Sequence, residues 1–221
     1  MTTNNPTLAQ DLLRIHKVIT RGLEVGLKKG KDYLISGFSS PEELRGYSSY
    51  IHSFASVLDS HHSGEDLFAF PALRKVLPLA PYSQLATDHR SVEMLLARLP
   101  KPITDLSGNQ PGEGLNVITD TLAKISEVWY PHIHLEEANF AEEKLNAVLT
   151  IDEQKNISAA TAKYSQEHSD PPYWVIPFVL FNLDRDERAK MAVNIPPKVM
   201  NELVPIVWKD QWSPMKPFLL E

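Results

Sequence analysis

Apolar residues in the first 150 positions recur in steps of three and four, the spacing that lines one face of an α-helix, and no alternating run marks a β-strand. In the first stretch Leu12, Ile19, Leu23 and Leu27 form the stripe, with His16 inside it. GFSSPEEL announces a second helix: Ser40 suits the N-cap, Pro41 the first helical position, and Glu42 and Glu43 the positive end of the helix dipole. That helix is expected to run to about Phe70, where Pro71 disturbs it, with Leu58, His61, Glu65, Phe68 and Ala72 on its inner face. After LPLAPYS a third helix carries His89, Val92, Glu93, Leu96 and Leu99 on one side. PKPITDLSGNQPGEG reads as a loop by composition, and a fourth helix follows with the stripe Leu122, Ile125, Trp129, His132, Glu136 and Phe140.

Four amphipathic helices joined by turns and loops make, most simply, an all-α antiparallel four-helix bundle over residues 8–149. Residues 150–221 open on a capping box, Thr150 with Glu153, and a fifth helix to about Glu167. The segments beyond it are apolar, punctuated by proline and helical in pieces. They are too apolar to stay free, so this C-terminal extension is expected to pack on the bundle as part of the same structural unit.

The inward stripes carry polar residues that a core does not hold without reason. His16, His61, Glu65, His89, His132 and Glu136 place four imidazoles and two carboxylates, from four helices, in one interior. His61 with Glu65, and His132 with Glu136, are each spaced i,i+4 and project side by side from one helix face. Taken singly, each is an ordinary core histidine or a surface pair; together, unpartnered, they would cost on the order of several kcal/mol each. Two first-row metal ions that share the carboxylates as bridges satisfy the set. His62 and His134 are rotated by about 100 and 200 degrees from their neighbours, which leaves them outside the ligand set. His52 lies half a revolution from His61, and His168 suits a helix C-terminus. Asp66 and Glu137 follow the inward acids directly and are expected to face water.

Composition narrows the chemistry. The chain has no cysteine, which excludes disulfides, iron-sulfur clusters and thiolate zinc sites and leaves imidazole and carboxylate as the strong metal ligands. A formal charge of −6 with scattered Lys and Arg argues against nucleic acid. No window approaches a membrane span, and MTTNNPTLAQ lacks the form of a signal peptide, so a cytoplasmic protein is expected.

A histidine on helix one, His-x-x-x-Glu on helix two, a histidine on helix three and His-x-x-x-Glu on helix four resemble the hemerythrin family, specifically its HHE cation-binding domains. HHSGEDLFAFPAL and HIHLEEANF are similar in form to that family's repeated segments. The resemblance implies a bundle holding a non-haem di-iron centre bridged by Glu65 and Glu136, with zinc or manganese as substitutes. One departure concerns Glu93, which stands one turn after His89 where the oxygen carriers have a histidine; a carboxylate there is assigned a catalytic role at the iron. Pro131 in YPHIH is expected to kink helix four. Two functions stay open: an oxidoreductase that activates dioxygen for a small organic substrate held by the extension, or a protein that binds or senses oxygen, nitric oxide or iron without turnover.

Overall fold

The computed structural model describes residues 7–108 and 111–220. Four long helices form the bundle: α1 (Leu8–Ser36), α2 (Pro41–Gly64), α3 (Tyr82–Leu96) and α4 (Pro111–Asn139). Their starts follow local chemistry. Thr7 caps α1 in a reciprocal box with Gln10, and the Ser40 hydroxyl accepts from the Glu43 N–H at 3.1 Å to cap α2. The helices meet in a ring, α1 against α2, α2 against α3, α3 against α4 and α4 back against α1, with no strand among the described residues. No helix among these residues is long and apolar enough to cross a membrane. At Gly30 a Cβ would stand 2.4 Å from the Tyr47 hydroxyl, so glycine there lets α2 close on α1 until Tyr47 donates to the Gly26 carbonyl at 2.9 Å.

Two expectations are revised. Helix α2 does not continue as an α-helix to Phe70; it gives way to a π-helical turn, Glu65–Ala69, and then to a short helix, Phe70–Leu73. The Phe70 N–H bonds to the Glu65 carbonyl, five residues back. A π-helical turn fits an extra residue into the turn, so the buried face slips. Ala69, Phe70 and Leu73 point inward, while Phe68 is 39% exposed. Within the expected loop, Pro100–Asp105 forms a helix that packs on α4, with Pro100 in its first turn; α4 itself starts at Pro111, and Asn109 and Gln110 lie outside the described residues. Helix α4 contains Pro131 within its length.

The extension is helical and packed on the bundle. Helix α5 (Ile151–His168) begins at the Thr150–Glu153 capping box, and α6 (Pro172–Phe181) and α7 (Arg185–Ala192) follow. A second π-helical stretch, Val199–Val207, leads through Lys209–Trp212 to a 3-10 turn, Ser213–Phe218. Helix α5 lies on α2 and its π turn, while α6 and the 3-10 turn lie farther along α2. Phe178 and Phe218 are buried against the Tyr50 ring. Arg21 of α1 donates to the Phe218 carbonyl at 2.8 Å, and Arg14 pairs with Glu187 at 2.9 Å. At Gly46 a Cβ would meet the Pro214 carbonyl oxygen at 2.0 Å. Gly46→Ala is therefore expected to push the C-terminal turn off α2 and to cost about 1–3 kcal/mol in denaturant unfolding; unchanged stability would contradict this packing.

Candidate metal centre

The last turn of α2 and the start of its π turn supply His61, His62 and Glu65; α1 supplies His16, α3 His89, and α4 His132 and Glu136. All seven side chains are at most 5% exposed. They fall into two groups, His16, His61, Glu65 and Glu136 in one, and His62, Glu65, His89 and His132 in the other, each with ligand atoms within 4.8 Å of one another. The fold thus brings together all six inward residues expected from the sequence and adds His62, which that reading had placed outside.

The two carboxylates stand between the groups. Glu65 presents Oε1 to His61 Nε2 at 3.4 Å and Oε2 to His89 Nε2 at 3.6 Å, so its two oxygens face opposite halves. Glu136 Oε2 lies 3.3 Å from His16 Nε2 and 3.5 Å from His132 Nε2. The position of Glu65 has a helical origin. Measured from His61, it falls about 40° round the helix and His62 about 100°, so the carboxylate projects between the two histidines.

Three further carboxylates back the imidazoles. His16 Nδ1 lies 2.8 Å from Glu137 Oε1, His89 Nδ1 3.1 Å from Asp66 Oδ1, and His132 Nδ1 3.6 Å from Asp88 Oδ2. Glu137, expected to face water, instead turns its carboxylate to the His16 ring, while Asp66 is exposed as expected and only lies beside His89. At His16 the hydrogen-bonded Glu137 carboxylate favours the proton on Nδ1, which leaves the Nε2 lone pair aimed inward, whereas His89 and His132 Nδ1 have no hydrogen-bond partner among the described residues. His89 Nε2 and His132 Nε2 face each other at 3.3 Å, an arrangement that a shared cation stabilises.

Hydrogen-bond satisfaction makes the same point. His16, His61 and His62 Nε2, both Glu65 oxygens and Glu136 Oε2 are buried with no hydrogen-bond partner among the described residues. A buried polar atom left so costs roughly 1–3 kcal/mol. All six atoms belong to side chains of the two groups, and their nitrogen and oxygen character suits divalent first-row cations. The residues fit a pair of metal ions. Trp129 Nε1–H donates to Thr20 at 2.9 Å, and the indole lies against His16 and His62, with ring centroids at 5.3 and 5.9 Å, walling the groups from the core.

Burial, reinforced by neighbouring imidazoles, holds His61 and His62 well below the ordinary histidine range. Burial and then the Glu136 charge push the Glu65 carboxyl well above the carboxylate range. For Glu136 burial acts upward, but the adjacent His132 and His16 imidazoles prevail and hold it well below that range. For His16 burial acts downward, and Glu136 with Glu137 outweighs it to raise the imidazole. A cation at the site competes with protons for these same atoms. Metal loading is expected to release protons into the buffer and to strengthen as pH rises from about 6 to 8; calorimetry in buffers of different ionisation enthalpy would refute this if no protons were released. Glu137→Gln and Asp66→Asn are expected to weaken metal retention by about 10–100-fold, against no change if these acids merely face water.

Glu93 joins neither group. It is exposed and lines, with Asp59, Asp66 and Arg90, a small pocket outside His62 and His89. Burial raises the Asp59 carboxyl, and the charge of Glu93 adds to it. The sequence expectation that Glu93 faces the metal is corrected: α3 turns it to solvent, and His62 from α2 occupies that side of the centre. His52 and His134 also lie outside both groups, as expected, and His52 Nε2 lies 2.9 Å from the Asp170 carbonyl.

The family model described as the hemerythrin HHE cation-binding domain matches residues 7–143. No curated protein and no solved structure gave a match. The matched span takes in α1 to α4 and every member of both groups, so the chain belongs to the hemerythrin HHE cation-binding domain family.

Proposed function

We propose that the protein is a non-haem di-iron protein that binds dioxygen, with His16, His61 and Glu136 holding one iron, His62, His89 and His132 the other, and Glu65 shared between them. The observation that carries this reading is the shared carboxylate flanked by buried imidazoles whose inward atoms lack protein partners. Bound iron would supply reversible electron transfer to dioxygen. In the chain itself Glu137 fixes the His16 tautomer, the Asp66 and Asp88 carboxylates lie beside His89 and His132, and Trp129 and the Phe70 ring, stacked 5.4 Å from His89, pack against the imidazoles. Zinc and manganese compete for the same ligands.

A second reading, oxidoreduction of a small organic molecule, is favoured by a cavity of about 480 Å³ that reaches His61, Glu65 and Glu136. The carboxylate-rich shell once expected from Glu93 no longer argues for it, since an imidazole stands there. Anaerobic loading with ferrous iron, followed by oxygen and then by degassing, separates the readings. A visible spectrum that returns on degassing supports binding, net oxygen consumption supports turnover, and failure to take up iron overturns both.

A further inference from the structure

The extension leaves an internal space beside the first group of ligands. Helix α5 faces it with small side chains, Ser158, Thr161, Ala162 and Ser165, at successive helical steps, and Ser169 follows just past its end. Across it stand Ile15 of α1, Val57 of α2 and Val175 and Val179 of α6, with Met191 and Trp208 closing the far side. The volume, about 480 Å³, far exceeds the water-sized gaps that close-packed interiors retain and falls in the range of small-molecule sites. At the inner end lie His61 and Glu65, both buried, with His61 Nε2 and Glu65 Oε1 unpartnered. At the outer end Gln166, Asn194 and Pro196 are exposed.

We infer that this cavity is a binding site for a neutral, apolar small molecule, held with one end against the His61–Glu65–Glu136 edge of the metal centre. The wall chemistry sets the class. Its hydroxyls are already committed: Thr161 to the Ile157 carbonyl, Ser165 to the Ser60 carbonyl, Ser169 to the Ser60 hydroxyl and Ser158 to Asp11. Asp11 in turn pairs with Arg14 at 2.8 Å. Among the described lining residues there is no Lys or Arg, so away from the metal centre a carboxylate or phosphate finds no counter-charge along the walls. Aliphatic and aromatic surface, by contrast, meets Val, Ile and Met side chains. The cavity itself stands on the fold; its proximity to a reactive centre rests on the di-iron reading.

The test uses metal-replete full-length protein and a neutral, environment-sensitive naphthalene ketone dye. Saturable binding at one dye per chain is expected, with blue-shifted emission, displaced by 1-octanol at least tenfold more effectively than by octanoate. Val179→Phe, which narrows the cavity, is expected to weaken dye binding at least tenfold with metal content unchanged. Ala162→Trp at the α5 wall gives the same readout if the first variant does not fold. Absence of saturable binding, equal affinity in the folded variants, or preference for octanoate would overturn the inference. Metal content is measured on the same samples: dye binding without metal uptake would sink the di-iron reading and leave the cavity standing, and metal uptake without dye binding would do the reverse.

Discussion

Glu65→Ala is expected to empty both halves of the metal centre at once. Its two oxygens face opposite groups, 3.4 Å from His61 Nε2 and 3.6 Å from His89 Nε2, so a single substitution removes a ligand atom from each. Substituting a carboxylate that only backs a metal-binding histidine costs about 10–100-fold in metal affinity, and a direct, shared ligand should cost at least the upper end of that range at both sites. The variant should still fold, because neither Glu65 oxygen holds a protein hydrogen bond that alanine would break. His16→Ala and His62→Ala serve as controls with half the effect, each emptying one group. Metal per chain after exhaustive dialysis, measured by mass spectrometry, decides the matter. Retention of two ions in Glu65→Ala would remove the shared-ligand arrangement, and retention of two in His62→Ala would remove His62 from the ligand set. Glu93→Gln, outside both groups, should leave the metal count where it was.

Stripping the metal should lower the thermal midpoint strongly. A ligand that binds only the folded state, present at a hundredfold over its dissociation constant, adds about 2.7 kcal/mol. Two such ions add about 5 kcal/mol, which for a chain of this size corresponds to a fall of roughly 10–20 °C on removal. The loss is expected to be local at first. The π-helical turn Glu65–Ala69 and the part of α4 around His132 and Glu136 carry the groups that a cation would satisfy. Hydrogen exchange should therefore rise there before it rises at Ile19, Ile51 or Leu122 in the core. A chelated protein with an unchanged midpoint would mean that these side chains are stabilised in some other way.

Much of this arrangement is written into local sequence. Periodicity places His16, His61, His89, His132 and Glu136 on buried faces because each occupies an apolar stripe whose large neighbours, Ile19, Leu58, Val92 and Trp129, leave the helix no other way to turn. Caps at Thr7, Ser40 and Thr150 set helix starts because each satisfies a backbone donor within its own turn. Such features need no knowledge of the rest of the chain.

His62 shows where that reasoning took the wrong origin. Measured from His61 it points away, but measured from Glu65 it is about 60° to one side as His61 is about 40° to the other. The spacing His-His-x-x-Glu therefore carried the signal: a carboxylate set between two adjacent histidines can serve two ions. What the sequence by itself determined is the helical periodicity, the caps and the inward polar set, because these depend on geometry within one helix. Tertiary structure decided the rest. The inward slip after Glu65 came from a π-helical turn packed against α5, the turning of Glu93 to solvent from the way α3 meets α2 and α4, and the cavity from small α5 side chains facing Val57 and Val179. Each of these depends on which elements meet across the fold, and the spacing within a single helix contains no record of its neighbours.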